Sequence, residues 1–135
     1  MKPIEEKLVQ SVVEETSSSM KDPKFATNAI DAWVRTQPNA SRYVAAHAKE
    51  LGGAEHVVTT LFHADLITKC FSRHLGRRVR SLTYAHLDGV ARSGQDALQQ
   101  AQPAVLDYIV ANVEMPVMKR LLITIALAID GLSKA

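Results

Sequence analysis

Three histidines and the chain's only cysteine fall within one stretch, Ala54–Leu75, which is bracketed by Gly52-Gly53 in front and Gly76 behind. At about 100° per residue, a helix here sets His56, Thr60, His63, Ile67, Cys70 and His74 within about 40° of one line. Imidazole and thiolate are zinc ligands, and Cys70 to His74 is the one-turn spacing of a helical half-site. His56 and Cys70, however, are 14 residues apart in the sequence, about 21 Å along a helix axis, too far to share an ion. A site would need Cys70 and His74 plus ligands drawn from His47, His63 or His86. The chain has no H-E-x-x-H, no second cysteine and no Glu-x-x-His pair. Cys70 and His74 are therefore weak metal candidates, and the expected reading of the line is a boundary between core and solvent. No cofactor is expected.

His47 has the position of a haem ligand or of a core histidine bonded to a neighbour. The second is expected, because nothing else suggests a haem pocket. Cys70 as a nucleophile with His74 as its base needs an exposed, electropositive setting. Its apolar flank points to burial instead. Phosphate-cradling glycine motifs, a nucleophile elbow and paired carboxylates in a cleft pattern are absent. The expectation is a protein that is not an enzyme.

Charge is distributed more informatively than its net value of +2. Between Asp65 and Asp88 there is no acidic residue, while Lys69, Arg73, Arg77, Arg78 and Arg80, five of the sixteen Lys and Arg, all lie there. Part of this run offsets a helix dipole. Guanidinium groups also grip carboxylates or phosphates in pairs, so the run is a candidate surface for an acidic partner, with nucleic-acid phosphates as the alternative through Arg73–Arg80. The nearest thing to a helix-turn-helix, Gly89–Gln100, has no basic residue in its second helix, which argues against sequence-specific DNA binding. A helical pocket for a small ligand or metal is a further alternative.

These residues must be positioned by helices. All five prolines, Pro3, Pro23, Pro38, Pro103 and Pro116, stand where a segment of helical period begins. The first helix is expected over roughly 4–19, the second behind an Asp22 cap and Pro23, and the third from Pro38 to Gly52-Gly53. Leu82 and Leu87 flank Thr83 as a hydrophobic staple, placing another start near Tyr84. Ser93-Gly94 interrupts that helix, Pro103 opens the next, and Pro116 opens the last. No alternation of period two, no linker and no internal repeat is evident. The expectation is one all-α domain, residues 1–135, of six or seven short helices around a central helix (about 54–75) and an apolar C-terminal helix (about 116–132).

The last helix carries one wide apolar face, with Ile123 and Leu127 on the opposite side. Such a pair needs cover, either from another helix of the chain or from a second copy. It is the candidate dimer interface.

With 47% hydrophobic and 22% charged residues, the composition is that of a folded globular domain, which excludes disordered and collagen-like classes. The N-terminal residues do not read as a signal peptide, and the longest apolar run, Leu121–Ile129, is about half of a membrane span. A lone cysteine agrees with a reducing compartment. A cytoplasmic, regulatory or adaptor-like module acting by protein–protein interaction, most simply as a homodimer, is the expectation.

Overall fold

The computed structural model describes residues 2–134. Among them the chain forms nine helices and no strand: α1 (Glu6–Ser19), α2 (Phe25–Thr36), α3 (Pro38–Ala45), α4 (Ala48–Leu51), α5 (Ala54–Leu75), α6 (Tyr84–Val90), α7 (Gly94–Ala101), α8 (Pro103–Asn112) and α9 (Pro116–Lys134). The all-α expectation holds, with more breaks than the six or seven helices expected. Pro38, Pro103 and Pro116 are the first residues of α3, α8 and α9, where a missing N–H leaves no bond unmade. The staple at Thr83 also holds. Leu82 and Leu87 are fully buried, Thr83 Oγ1 accepts from the His86 N–H at 3.1 Å, and His86 Nδ1 accepts from the Thr83 N–H at 3.0 Å.

The extra break lies at Ala46-His47, between α3 and α4. His47 Nδ1 bonds the carbonyl of Tyr43 at 2.8 Å, taking the acceptor its own backbone N–H would use in a continuous helix. That N–H turns to Val44 O at 3.0 Å. A side chain that competes for an i−4 carbonyl interrupts the ladder without proline or glycine. His47 is thus half-buried and bonded to a neighbour.

The two helices expected at the centre, α5 and α9, are both there, and α9 is the more enclosed. Every residue from Leu121 to Asp130 in α9 is buried, and α4, α5, α6, α7 and α8 all pack against this helix. A helix that is apolar all round belongs in the middle. The dimer candidate fails for this reason: Ile123 and Leu127 are 6% and 7% exposed, covered by the chain itself. The centre is shared: α5 packs against α9 on one side and meets α1, α2, α3 and α4 on others, as the central helix of the expectation does.

An internal duplication, not evident from the sequence, organises this packing. The pattern Asp-Ala-x4-Gln-Pro occurs at Asp31–Pro38 and again at Asp96–Pro103, 65 positions later. The same offset relates Tyr43 to Tyr108, Asp65 to Asp130 and Lys69 to Lys134. The matched residues do the same work. Asp65–Lys69 and Asp130–Lys134 are both ion pairs of 2.9 Å one turn apart, each with its carboxylate buried. The Tyr43 carbonyl takes a bond from His47, and the Tyr108 carbonyl takes one from Asn112 at 2.8 Å. In packing, α2 lies on α5 as α7 lies on α9, while α1 crosses to α8 as α6 crosses to α3. Each half thereby holds the leading helix of the other.

Buried glutamines make that exchange specific. Gln37 and Gln102, each 1% exposed, stand at the two Gln-Pro junctions. Gln37 Oε1 accepts from the Leu82 N–H, two residues before α6, and Gln102 Oε1 accepts from the Ile4 N–H, two residues before α1, both at 2.8 Å. Ile4 and Leu82 each bury their side chains beside these bonds.

A candidate acidic-partner surface on the arginine connector

The connector between α5 and α6, residues 76–83, has no helix of its own, so it must be held from outside. Gly76 ends α5 in the left-handed region at φ 69°, a conformation that favours glycine. The Arg77 N–H returns to Ser72 O at 3.2 Å, and Ser72 Oγ donates to Arg77 O at 2.9 Å. Further on, the Gln37 amide acts as a neighbouring strand would. Its Nε2 donates to Arg80 O at 2.9 Å while its Oε1 accepts from Leu82 N. Asn39 Nδ2 adds a bond to Leu82 O at 3.1 Å. An extended segment with its backbone satisfied in this way presents its side chains from a fixed frame.

Five cations were expected on this surface, and the structure divides them. Lys69 pairs with the buried Asp65 and sits 5.1 Å from the ring centroid of Phe25. Arg73 forms an ion pair with Glu15, brought in from α1, whose carboxyl it holds below its ordinary range. The sequence window contains no acid, but the fold supplies one. Arg77, Arg78 and Arg80 remain, all exposed and without an ion-pair partner among the described residues. They line a cavity of about 130 Å³ with Leu75, Val79, Leu132 and Ser133. Arg80 Nη2 donates to Leu132 O at 3.3 Å near the end of α9, as a cation at a helix C-terminus should. Arg77 and Arg78 point to no such internal role.

The histidine and cysteine line does not assemble a metal site. Cys70 is 2% exposed, and burial pushes its thiol up to about 12, which does not suit a nucleophile. His74 Nε2 donates to Lys2 O at 2.9 Å. His63 Nδ1 shares a hydrogen bond of 2.7 Å with the Tyr108 hydroxyl. Among the described residues no group of three or more His, Cys, Asp or Glu is placed to hold a metal. The line runs along the boundary between core and solvent, with Thr60, Ile67 and Cys70 buried, His63 and His74 half-buried and hydrogen-bonded, and His56 exposed. In α7, the would-be recognition helix, Leu98 is buried and Gln95, Asp96, Gln99 and Gln100 face solvent, presenting no cation.

His63 provides a pH test. Burial holds its imidazole below the ordinary value of 6.5. Between 6.5 and that lowered value the unfolded chain binds a proton that the folded chain does not, so stability falls as pH falls through this window. His63→Gln, which keeps a hydrogen-bonding group without a titration, should flatten this part of the curve. Denaturant midpoints of both proteins across the window check it. Identical slopes would remove His63 from the acid sensitivity. Asp65 acts oppositely, because burial raises its carboxyl above 3.8, and it cancels in the comparison of the two proteins.

No helix among the described residues is long and apolar enough to cross a membrane. Comparison with known proteins found no matching family model, no similar curated protein and no similar solved structure.

Proposed function

We propose that the protein is a non-enzymatic, all-helical interaction module whose connector, residues 76–83, binds an acidic segment of a partner protein. The observation that supports this reading is the pair Arg77 and Arg78. Both are exposed and lack a carboxylate partner among the described residues, on a segment whose backbone is pinned from Gln37, Asn39 and Ser72. Guanidinium groups held on a fixed frame lose less freedom on binding than those on a mobile loop, and they match carboxylates in bidentate fashion. The expected homodimer through Ile123 and Leu127 is not part of this reading, since those side chains are in the core.

Fluorescence anisotropy with a labelled Glu/Asp-rich peptide and with a single-stranded oligonucleotide, over a salt series, tests it. The acidic peptide should bind more tightly, and Arg77→Glu with Arg78→Glu should weaken it by about tenfold, as expected for reversing two exposed ion pairs. Tighter oligonucleotide binding with a steep log-linear salt dependence would replace this reading with phosphate recognition.

A further inference from the structure

On another face, α1 and α8 leave a groove of about 330 Å³ between them, with Val9, Val13 and Tyr108 in its floor. It continues into a second section of about 170 Å³ that shares Val13, Tyr108 and Asn112 and adds Phe62, Leu66 and Met20. From Glu6 to Met20 the α1 wall extends about 21 Å at 1.5 Å per residue, the length of a four-turn helix, while the α8 wall from Ala104 to Asn112 covers about 12 Å of it. The chemistry of the rim is one-sided. Glu6 and Glu14 stand on the α1 wall and Asp107 on the α8 wall, all exposed, and none is in an ion pair among the described residues. Neither section is lined by a lysine or arginine. At the far end Met20 is 48% exposed, an adaptable apolar side chain of the kind that accommodates varied partners.

We infer that the α1–α8 groove is a docking site for a basic amphipathic helix of a partner protein, its apolar stripe on Val13, Tyr108 and Phe62 and its Lys or Arg flanks against Glu6, Glu14 and Asp107. Helix-in-groove recognition needs an apolar floor, a length of several turns and a rim whose charge opposes the ligand's, and all three are present. A second copy is a poor occupant. The exposed large apolar side chains of the helices, Val34, Val58, Tyr84 and Val110, stand on four different helices, so no helix among the described residues offers an exposed apolar stripe to the groove of another copy. The inference is independent of the connector, because the two surfaces share no residue.

The test uses the full chain and a labelled synthetic peptide of about four turns, with leucines on one face and lysines on its flanks. Controls are a scrambled peptide of the same composition and an isomer with glutamates for lysines. The leucine–lysine peptide should bind and gain helical circular dichroism. The glutamate isomer should bind about tenfold more weakly or not at all. Glu14→Lys with Asp107→Lys should lose about tenfold, the milder Glu14→Gln with Asp107→Asn should lose less, and Arg77→Glu with Arg78→Glu should not change binding. Since Glu14 and Asp107 are exposed, both groove variants should keep native circular dichroism. Binding of the scrambled peptide as tightly as the patterned one, or indifference to Glu14 and Asp107 in both variants, overturns the inference. So does self-association without peptide that the groove variants abolish, since that would put a second copy in the groove.

Discussion

Ile123→Lys and Leu127→Lys are expected to unfold the protein and not to release a folded monomer. Each side chain is on α9, in the run Leu121–Asp130 that is buried throughout, and neither has a carboxylate opposite among the ion pairs of the described residues. An unpaired ammonium in such a place costs several kcal/mol even after relaxation, against a total stability on the order of 5–15 kcal/mol. Either single substitution should abolish the cooperative unfolding transition or move its midpoint by a large fraction, with a loss of helical circular dichroism at 25 °C. Native mass spectrometry on the same samples gives the opposing outcome a clear form. Full helicity together with half the wild-type mass would return Ile123 and Leu127 to a subunit interface.

Gln37→Ala and Gln102→Ala are expected to cost about 3 kcal/mol each, because each strands two polar groups at about 1–3 kcal/mol apiece. For Gln37 these are the Leu82 N–H and the Arg80 carbonyl. For Gln102 they are the Ile4 N–H and Asp130 Oδ1, to which Gln102 Nε2 donates at 3.0 Å. The local consequences differ by half. Amide hydrogen exchange should quicken at Leu82 in Gln37→Ala and at Ile4 in Gln102→Ala, each leaving the other site protected. Loosening at both sites in both variants would show that the two pins are not separate. In Gln37→Ala the connector also loses its frame, so affinity for the acidic peptide should drop although no arginine is changed.

The two halves are alike but not identical, and one of the differences falls on the connector. The carbonyl equivalent to that of Arg80 is that of Lys2, two residues before Ile4. It takes its bond from His74 because the Gln102 amide is turned to Asp130. In the first half the Gln37 amide is free to hold the backbone on both sides of Ser81. One junction is thus spent on anchoring α9, and the other on fixing the segment that carries Arg77, Arg78 and Arg80.

Element boundaries were legible where the cause is local. Proline at a first helical position, Gly76 in the left-handed region and the Leu82–Thr83–Leu87 staple act within a few residues of one another, so α5, α6, α8 and α9 start where their sequences say. The break at His47 was missed because it depends on where one imidazole goes. The duplication was within reach, since Asp-Ala-x4-Gln-Pro is written twice, but only two short stretches match closely and the leading helices α1 and α6 differ in length.

By itself the amino-acid sequence determined that this protein is helical, where most helices begin, that Cys70 is flanked by apolar residues, and that cations collect between Asp65 and Asp88. Those properties follow from backbone geometry, apolar period and charge along one segment. Only the tertiary structure decided which cations are free, because Glu15 reaches Arg73 across 58 positions of chain. It alone decided that α9 is enclosed, since a wide apolar face looks the same in sequence whether a second copy or the chain's own helices cover it. The Gln37 and Gln102 pins likewise span 45 and 98 positions, and a contact made at that separation leaves no spacing in the sequence to read.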